Sequence, residues 1–172
     1  TFDRIPRDTP WSIERRFFPS LIERTETFVG YVYRGYWIDI GTPEKYMQVH
    51  ADIMDGRYRA APFAGRPSVA WISPLARVEE GVTIAGPCFI DEGALVKTGA
   101  RIGPYSVIGR NCHIEEHAIV EHAIVWAHCR ISQEAIVRRS ILGRHAHIGR
   151  NATVEDGVVL GDKSVVTDYS RL

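Results

Sequence analysis

The amino-acid sequence predicts a mainly β fold: a parallel β-helix of short stacked strands, preceded by a small α+β segment. The first observation behind this prediction is an aliphatic residue that returns at nearly every sixth position. A helix would give a period of 3.6 residues and an amphipathic strand a period of two. A period of six is typical of a hexapeptide solenoid, whose repeats share one continuous core. The aliphatic positions are Ile72, Val78, Ile84, Ile90, Val96, Ile102, Ile108, Ile114, Val120, Val125, Ile131, Val137, Leu142, Ile148, Val154, Leu160 and Val166.

The second observation is a small or aliphatic residue four positions after each of these, which we expect to face inward near a corner. These residues are Ala76, Val82, Cys88, Ala94, Ala100, Ser106, Cys112, Ala118, Ile124, Cys129, Ala135, Ile141, Ala146, Ala152, Val158 and Ser164. The residue just before is often Gly or Asn, which accept a positive φ at little steric cost and therefore suit a tight corner. Such residues are Gly81, Gly93, Gly99, Asn111, Asn151 and Gly157.

This repeat resembles that of the hexapeptide-repeat proteins, and the resemblance implies a left-handed parallel β-helix with three segments per coil. The solenoid should then span residues 70 to 168 and make between five and six coils. Two steps of the repeat are five residues long instead of six, and they end at Val125 and Leu142. These two residues are 17 positions apart, which is one coil, so both short steps should lie at the same corner of adjacent coils. The same spacing predicts two columns of charged or polar side chains. One holds Glu121, Arg138 and Glu155, and the next holds His122, Arg139 and Asp156.

The composition argues against several classes of protein. Lys plus Arg and Asp plus Glu each number 21, so no charge excess indicates binding to nucleic acid or to an anionic membrane. No apolar run approaches the ~20 residues of a membrane helix, and no secretory signal pattern is present. The three cysteines occupy predicted inward positions without the spacing of a metal site, so we expect buried, unpaired thiols. A reducing, cytoplasmic location follows.

Residues 1 to 57 lack the repeat and are too few for a stable core of their own. Their first predicted element is helical, within Ser12 to Arg24, because two apolar pairs are each four residues apart. Pro19 predicts a kink in this helix or the start of a second one. The pairs are Phe17 with Leu21 and Phe18 with Ile22.

Two strands and a helix are predicted next. The runs Thr27 to Tyr33 and Tyr36 to Ile40 are rich in aromatic and β-branched residues, which favour strands. Thr42 followed by Pro43 predicts the start of a helix, and Gly56 predicts its end. One face of this helix would carry Tyr46, Val49 or His50, and Ile53.

The motif GYWIDIGTPEKY, from Gly35 to Tyr46, carries the candidate chemistry. Asp39 lies inside a short apolar strand, directly before a glycine turn and a helix N-terminus. A carboxylate in such a place is costly to desolvate without a partner, and a divalent metal ion is one possible partner. A carboxylate that caps a turn or the helix is the alternative, and the helix N-terminus also suits a phosphate group. The residues alone leave these alternatives open.

The run from Ser12 to Met54 resembles the end of the catalytic domain of sugar-1-phosphate nucleotidyltransferases, closest to the mannose-1-phosphate guanylyltransferases (GDP-mannose pyrophosphorylases). In that family, too, a left-handed β-helix follows the catalytic domain. The resemblance implies that Asp39 helps to hold a catalytic Mg²⁺ ion and that Glu14 and Trp37 are candidate substrate-binding residues. Ser12 to Arg15 match the family's Ser-Ile-Glu-Lys element, with Arg15 in place of the lysine.

The resemblance also implies a domain plan and a reaction. Residues 1–57 would be the end of the catalytic domain, 58–69 a linker and 70–172 the β-helix. The parent enzyme would transfer a nucleotidyl group from an NTP to a sugar-1-phosphate and would form homo-oligomers through the β-helix. The family's glycine-rich nucleotide loop, second metal aspartate and sugar-phosphate lysine would all precede Thr1. We therefore expect no catalytic residue, and no activity, in this span alone.

Two other classes of function compete with this interpretation. Hexapeptide solenoids also form CoA-dependent acyltransferases with a histidine base, and His128 and His145 should stack on adjacent coils. However, solvated rows of a solenoid commonly carry polar residues, and no long loop interrupts the repeat from Ile72 to Val166. The third class is a non-catalytic module for oligomerisation or regulation, which is compatible with the first.

Overall fold

The computed structural model describes residues 2–64 and 70–172. The chain groups into two compact units that divide between Gly35 and Tyr36. The domain boundaries expected at residues 57 and 69 remain a prediction. Of the predicted linker, residues 65–69 lie outside the described residues, and Phe63 in its described part is buried.

The first unit contains a short 3₁₀ turn (Phe2–Arg4), a π-helical turn (Ile13–Phe17) and helix α1 (Phe18–Glu23). Pro19 lies in the first turn of α1, so the prediction of a second helix start is confirmed. Phe17 and Leu21 are buried as expected, whereas Ile22 is 65% exposed. Phe18 instead packs on Phe28, with ring centroids 5.0 Å apart.

The two strands predicted between Thr27 and Ile40 are wrong. Within the described range 2–64, no residue there belongs to a strand. β-propensity favours an extended backbone, but a strand also needs a neighbour for its backbone hydrogen bonds. The apolar side chains of Val29, Tyr31 and Val32 are at least 75% exposed, so burial does not supply the missing stabilisation either.

Within its described residues, the second unit contains helix α2 (Pro43–Met54) and seventeen short strands in three parallel sheets. Sheet A comprises β1 (Ala70–Ile72), β4 (Cys88–Ile90), β7 (Ser106–Ile108), β10 (Ile124–Val125), β13 (Ile141–Leu142) and β16 (Val159–Leu160). Sheet B comprises β2 (Arg77–Val78), β5 (Leu95–Val96), β8 (His113–Ile114), β11 (Arg130–Ile131), β14 (His147–Ile148) and β17 (Val165–Val166). Sheet C comprises β3 (Thr83–Ile84), β6 (Arg101–Ile102), β9 (Ile119–Glu121), β12 (Ile136–Arg138) and β15 (Thr153–Val154). Each strand pairs with the strand three positions along, so three segments make one coil and the predicted β-helix is confirmed.

The core lies between the sheets and consists of the predicted aliphatic and small residues. The two short steps coincide as expected, because Val120 pairs with Val137 and Val125 pairs with Leu142. Ile124 and Ile141, however, do not face the core as predicted. Because the step is five residues long, the small inward position falls one residue earlier in the chain, at Ala123 and Ser140. Both of these residues are fully buried.

Corner geometry and surface columns also follow the predicted coil. All six predicted corner residues have positive φ, from 54° at Asn111 to 89° at Gly157. Arg138 donates to both Glu121 and Glu155 at 2.9 Å, and Arg139 donates to Asp156. The three cysteines are buried and unpaired, and burial raises the pKa of Cys88 to about 11. No helix in the described ranges is both long and apolar enough to cross a membrane.

The outward positions of sheet A form an apolar column, which sheets B and C lack. It runs through the paired residues Trp71, Phe89, Val107, Ile124, Ile141 and Val159. Helix α2 lies against this column: His50 lines one cavity with Phe89 and Val107, and Met47 lines another with Ile124 and Ile141. Helix α2 is therefore held on the β-helix by apolar contacts.

Candidate functional site

The segment Tyr36 to Tyr46 leads into the first turn of α2. Thr42 caps the helix, since its side-chain oxygen accepts a hydrogen bond from the backbone N–H of Lys45 at 3.3 Å, and Pro43 follows directly. Interaction with the Thr42 side chain, and then with its own backbone N–H, lowers the pKa of Glu44. The predicted helix start is confirmed, and this N-terminus favours negative charge, as helix dipoles do.

Asp52, on the buried face of α2, anchors the segment. Its carboxylate accepts hydrogen bonds from the Tyr36 hydroxyl and Gln48 at 2.8 Å each and from Arg57 at 3.0 Å. Desolvation alone would raise the pKa of Asp52, but these three donors outweigh it and leave that pKa below its ordinary value. Burial, followed by the hydrogen bond to Asp52, raises the pKa of Tyr36. The hydrogen bond from Tyr36 to Asp52 thus connects the start of the segment to helix α2.

Helix α2 is tied in turn to the β-helix corner. The Tyr105 hydroxyl donates to Asp55 at 3.1 Å, and the Tyr46 and Trp126 rings lie 6.5 Å apart. His50, whose ring centre lies 4.8 Å from that of Tyr46, is half-buried, and desolvation lowers its pKa. Asp52, Asp55 and Tyr105 were not singled out in the sequence. The available signal was an acidic residue, Asp52, within the apolar pattern of α2.

The residues predicted to act on substrate or metal are placed as follows. Trp37 is 77% exposed, and Asp39 is exposed three residues before the helix cap. Glu14 is exposed in the π-helical turn and belongs to the first unit, whereas Trp37 and Asp39 belong to the second. Among the described residues, no three His, Cys, Asp or Glu side chains are grouped as they would be around a metal ion. Asp39 is thus suited to contribute one oxygen ligand, not a complete Mg²⁺ site.

Two grooves flank α2 on the β-helix. One, of about 600 Å³, is mainly apolar and includes Met47, Ile141 and Val159, with Arg139 and Asp156 at its edge. The other, of about 540 Å³, lies where sheet A turns into sheet B and is more polar. His128 and His145 border the second groove, and their rings stack 4.8 Å apart at 5°, as the sequence predicted.

Comparison of sequences places the repeat region in a described family. Residues 71–172 match the model of the GMPPB C-terminal domain. A mannose-1-phosphate guanylyltransferase from Mycobacterium tuberculosis is 32% identical over 120 residues, covering 69% of this chain and 33% of the relative. Mannose-1-phosphate guanylyltransferase 1 from Arabidopsis thaliana is 30% identical over 121 residues, covering 67% and 33% respectively. The chain thus spans about a third of the length of these curated relatives.

Comparison of structures finds the same fold in acetyltransferases. PerB from Caulobacter crescentus, solved with CoA and GDP-perosamine, has a TM-score of 0.59 and 16% identity and covers 89% of this chain and 68% of that one. The acetyltransferase domain of PglB from Neisseria gonorrhoeae has a TM-score of 0.60 and 17% identity, covering 76% and 67% respectively. At these identities the likeness establishes the fold alone.

Proposed function

The chain belongs to the GMPPB C-terminal domain family, and from this premise we propose that it is the C-terminal part of a mannose-1-phosphate guanylyltransferase. The parent protein would transfer a guanylyl group from GTP to mannose-1-phosphate and release pyrophosphate. The observation that carries the proposal is the joining of two features in one compact unit. The segment that bears Asp39 is anchored through Tyr36 and Asp52 to α2, and α2 packs on the repeat region that matches the family.

In this reaction the chain would contribute positioning and charge. An Mg²⁺ ion, when bound, neutralises the phosphate oxygens on which charge develops. Asp39 would supply one carboxylate ligand, and the remaining ligands would have to come from substrate phosphates, water or other residues, because the described residues form no complete site. Trp37 and Glu14 are proposed substrate contacts. The hydrogen bond from Tyr36 to Asp52 would hold the backbone that carries Trp37 and Asp39.

The acyltransferase alternative has less support. The stacked pair His128 and His145 borders a groove, as a catalytic histidine would. However, the strands of the described range 70–172 follow one another without a long inserted loop. Sequence relatives at 30% identity or above are also named as guanylyltransferases. We do not propose an acyltransferase.

The β-helix would serve assembly or regulation in the parent protein. We propose a homo-oligomer formed through the β-helix and a cytoplasmic location, which the three buried, unpaired thiols favour. Light scattering of the 172-residue chain tests the first of these proposals. A monomer at all concentrations up to about 100 μM, which covers the range of stable dimers, would contradict it.

The test of the proposed reaction is pyrophosphate release from GTP and mannose-1-phosphate, with other NTPs and sugar phosphates in parallel. In the full-length protein, Asp39→Asn should lower turnover at least ~10-fold, because it removes charge from a metal ligand without changing its shape. Glu134→Gln, at an exposed corner of the β-helix, is the matched control and should leave turnover unchanged. The 172-residue chain alone should not turn over. Normal activity of Asp39→Asn would remove Asp39 from the mechanism, and robust activity of the isolated chain would overturn the proposal that it is one part of the enzyme.

A further inference from the structure

The more polar of the two grooves has the features of a ligand site. This groove, here named the corner groove, lies beside α2 where sheet A turns into sheet B and has a volume of about 540 Å³. Its lining includes an aromatic ring, Trp126, two arginines, Arg110 and Arg144, and the histidine pair His128 and His145. Asp39, Trp37 and Glu14 do not line it. It is therefore separate from the proposed catalytic residues.

Coil stacking brings the two arginines to either side of a small residue. The backbone N–H of His128 donates to the Arg110 carbonyl at 2.8 Å, and that of His145 donates to the Ala127 carbonyl at 3.1 Å. Arg110, Ala127 and Arg144 thus occupy equivalent positions on three successive coils. Their backbones are about 4.8 Å apart per coil, so the two arginine positions are roughly 10 Å apart. Ala127, between them, carries only a methyl group.

Arg144 differs from an equivalent arginine on the next corner. Both Arg144 and Arg150 follow a glycine, and each backbone N–H donates to an aspartate 18 residues later, at 2.7 Å to Asp162 and 2.8 Å to Asp168. The Arg150 guanidinium also pairs with Asp168 at 3.0 Å. The Arg144 guanidinium instead lies 5.2 Å from the centre of the Trp126 ring. Among the described residues, no carboxylate oxygen lies within 4 Å of it, so its charge is available to a ligand.

Two acidic residues lie at or near the groove, and one of them, Asp91, is part of its lining. Glu92 pairs with Arg110 at 2.8 Å, and Asp91 accepts a hydrogen bond from the backbone N–H of Glu92 at 2.8 Å. Arg110 is thus paired with Glu92, whereas Arg144 has no paired carboxylate among the described residues. The stacked histidines line the same groove. Trp126 is 36% exposed, so part of its indole remains accessible beside Arg144 and Tyr46.

We propose that the corner groove binds a nucleotide, with the base stacked on the accessible part of Trp126 and the phosphate groups held by Arg144 and the histidine pair. Arginine pairs well with phosphate oxygens, and aromatic rings stack on any nucleobase. A cavity of about 540 Å³ is in the range of small-molecule sites. Guanine nucleotides and the nucleotide portion of CoA both present a base and linked phosphates, and the titration below distinguishes them.

The test is calorimetric titration of the 172-residue chain with GDP, CoA, guanosine and pyrophosphate. GDP or CoA should bind more tightly than guanosine or pyrophosphate, because only these two engage both the ring and the cations. Arg144→Ala and Trp126→Ala should each weaken that binding about tenfold or more. Arg150→Ala is the matched control for arginine loss and should change binding by less than about twofold, as should Glu134→Gln, at an exposed corner outside the groove.

Each outcome decides the assignment. Preference for GDP or for CoA identifies the nucleoside and supports the site in either case. Absence of GDP and CoA binding at millimolar concentration would overturn it, as would equal weakening by Arg144→Ala and Arg150→Ala. If pyrophosphate binds as tightly as GDP, Trp126 does not contribute to binding, and the groove is not a nucleotide site. A thermal melt of each variant checks folding, and the arginine pair remains decisive if Trp126→Ala unfolds.

Discussion

At the scale of single residues, Asp52 links the proposed catalytic segment to the rest of its unit. It is 5% exposed and accepts hydrogen bonds from Tyr36, Gln48 and Arg57. A buried carboxylate is costly unless its partners compensate for desolvation, and here they do so well enough to lower its pKa. The same carboxylate thus fixes a local geometry and makes stability depend on pH.

Asp52→Asn is therefore expected to reduce the free energy of unfolding by about 1–3 kcal/mol at pH 7. The native pKa of Asp52 is depressed, so its contribution is present above its unfolded pKa of about 3.9 and is lost as pH falls through the native value. Urea unfolding at pH 7 and at successive values below pH 4 measures this. The difference between wild type and variant should shrink with acidification. Glu80→Gln, an exposed control, should show no such convergence, and a constant difference at all pH values would contradict the role given to Asp52.

Single residues also show where sequence reasoning succeeds and where it stops. Val120 and Val137 were predictable as core residues, because a period of six residues indicates a hexapeptide solenoid, in which these positions face inward. Asp39 was predictable only as a candidate, because a carboxylate before a helix start is also typical of a turn or a helix cap, which the residues alone favour over a metal ligand. The groove arginine Arg144 gave no signal in the sequence, since its pairing depends on a tryptophan one coil away.

At the scale of elements, the apolar outer column of sheet A accounts for the position of helix α2, and α2 accounts for the burial of that column. Apart from Ile124 and Ile141, the residues predicted to face inward do so, whereas the apolar column on the outer face of sheet A was not predicted. The outward residues Phe89, Val107, Ile124 and Ile141 belong to this column, and such an apolar face indicates a covering element. The failure at Thr27 to Ile40 has the opposite origin, because β-propensity without a partner strand does not make a sheet.

Ile124→Ala tests the contact between α2 and sheet A. Ile124 is 2% exposed although it points away from the core, so its burial comes from outside the solenoid. The variant should lose about 2–5 kcal/mol of unfolding free energy, as for other buried isoleucines. Val165, at the outward position of a strand in sheet B, is 66% exposed, and Val165→Ala should lower the free energy of unfolding by less than about 0.5 kcal/mol. Chemical denaturation measures both, and similar losses at the two positions would show that α2 does not cover sheet A in solution.

At the scale of the whole β-helix, stability depends on position along the stack. Each coil contacts only its neighbours, so a central coil is stabilised from two sides and a terminal coil from one. The core residues reflect this: Ile114, Val120, Ile131 and Val137 in the middle are fully buried, whereas Val78 and Ile84 in the first coil are only partly buried. Local unfolding should therefore begin at the ends of the stack.

Hydrogen exchange of backbone amides tests this gradient within a single sheet. In sheet C, the amide of Thr83 donates to Ala100 at 3.0 Å, that of Ile119 to Ala135 at 2.8 Å and that of Thr153 to Ser170 at 2.8 Å. The three bonds are similar in length, so a difference in protection must come from the coil that each amide occupies. Ile119, in a central coil, should exchange at least about tenfold more slowly than Thr83 or Thr153 in the outer coils, because one lost interface amounts to more than about 1.4 kcal/mol of opening free energy. Val120→Ala should speed exchange across the central coils, whereas Val166→Ala should speed it only near the C-terminal end. Uniform protection at the three amides would mean that the β-helix opens as one cooperative block, and the nearest-neighbour account of its stability would then be wrong.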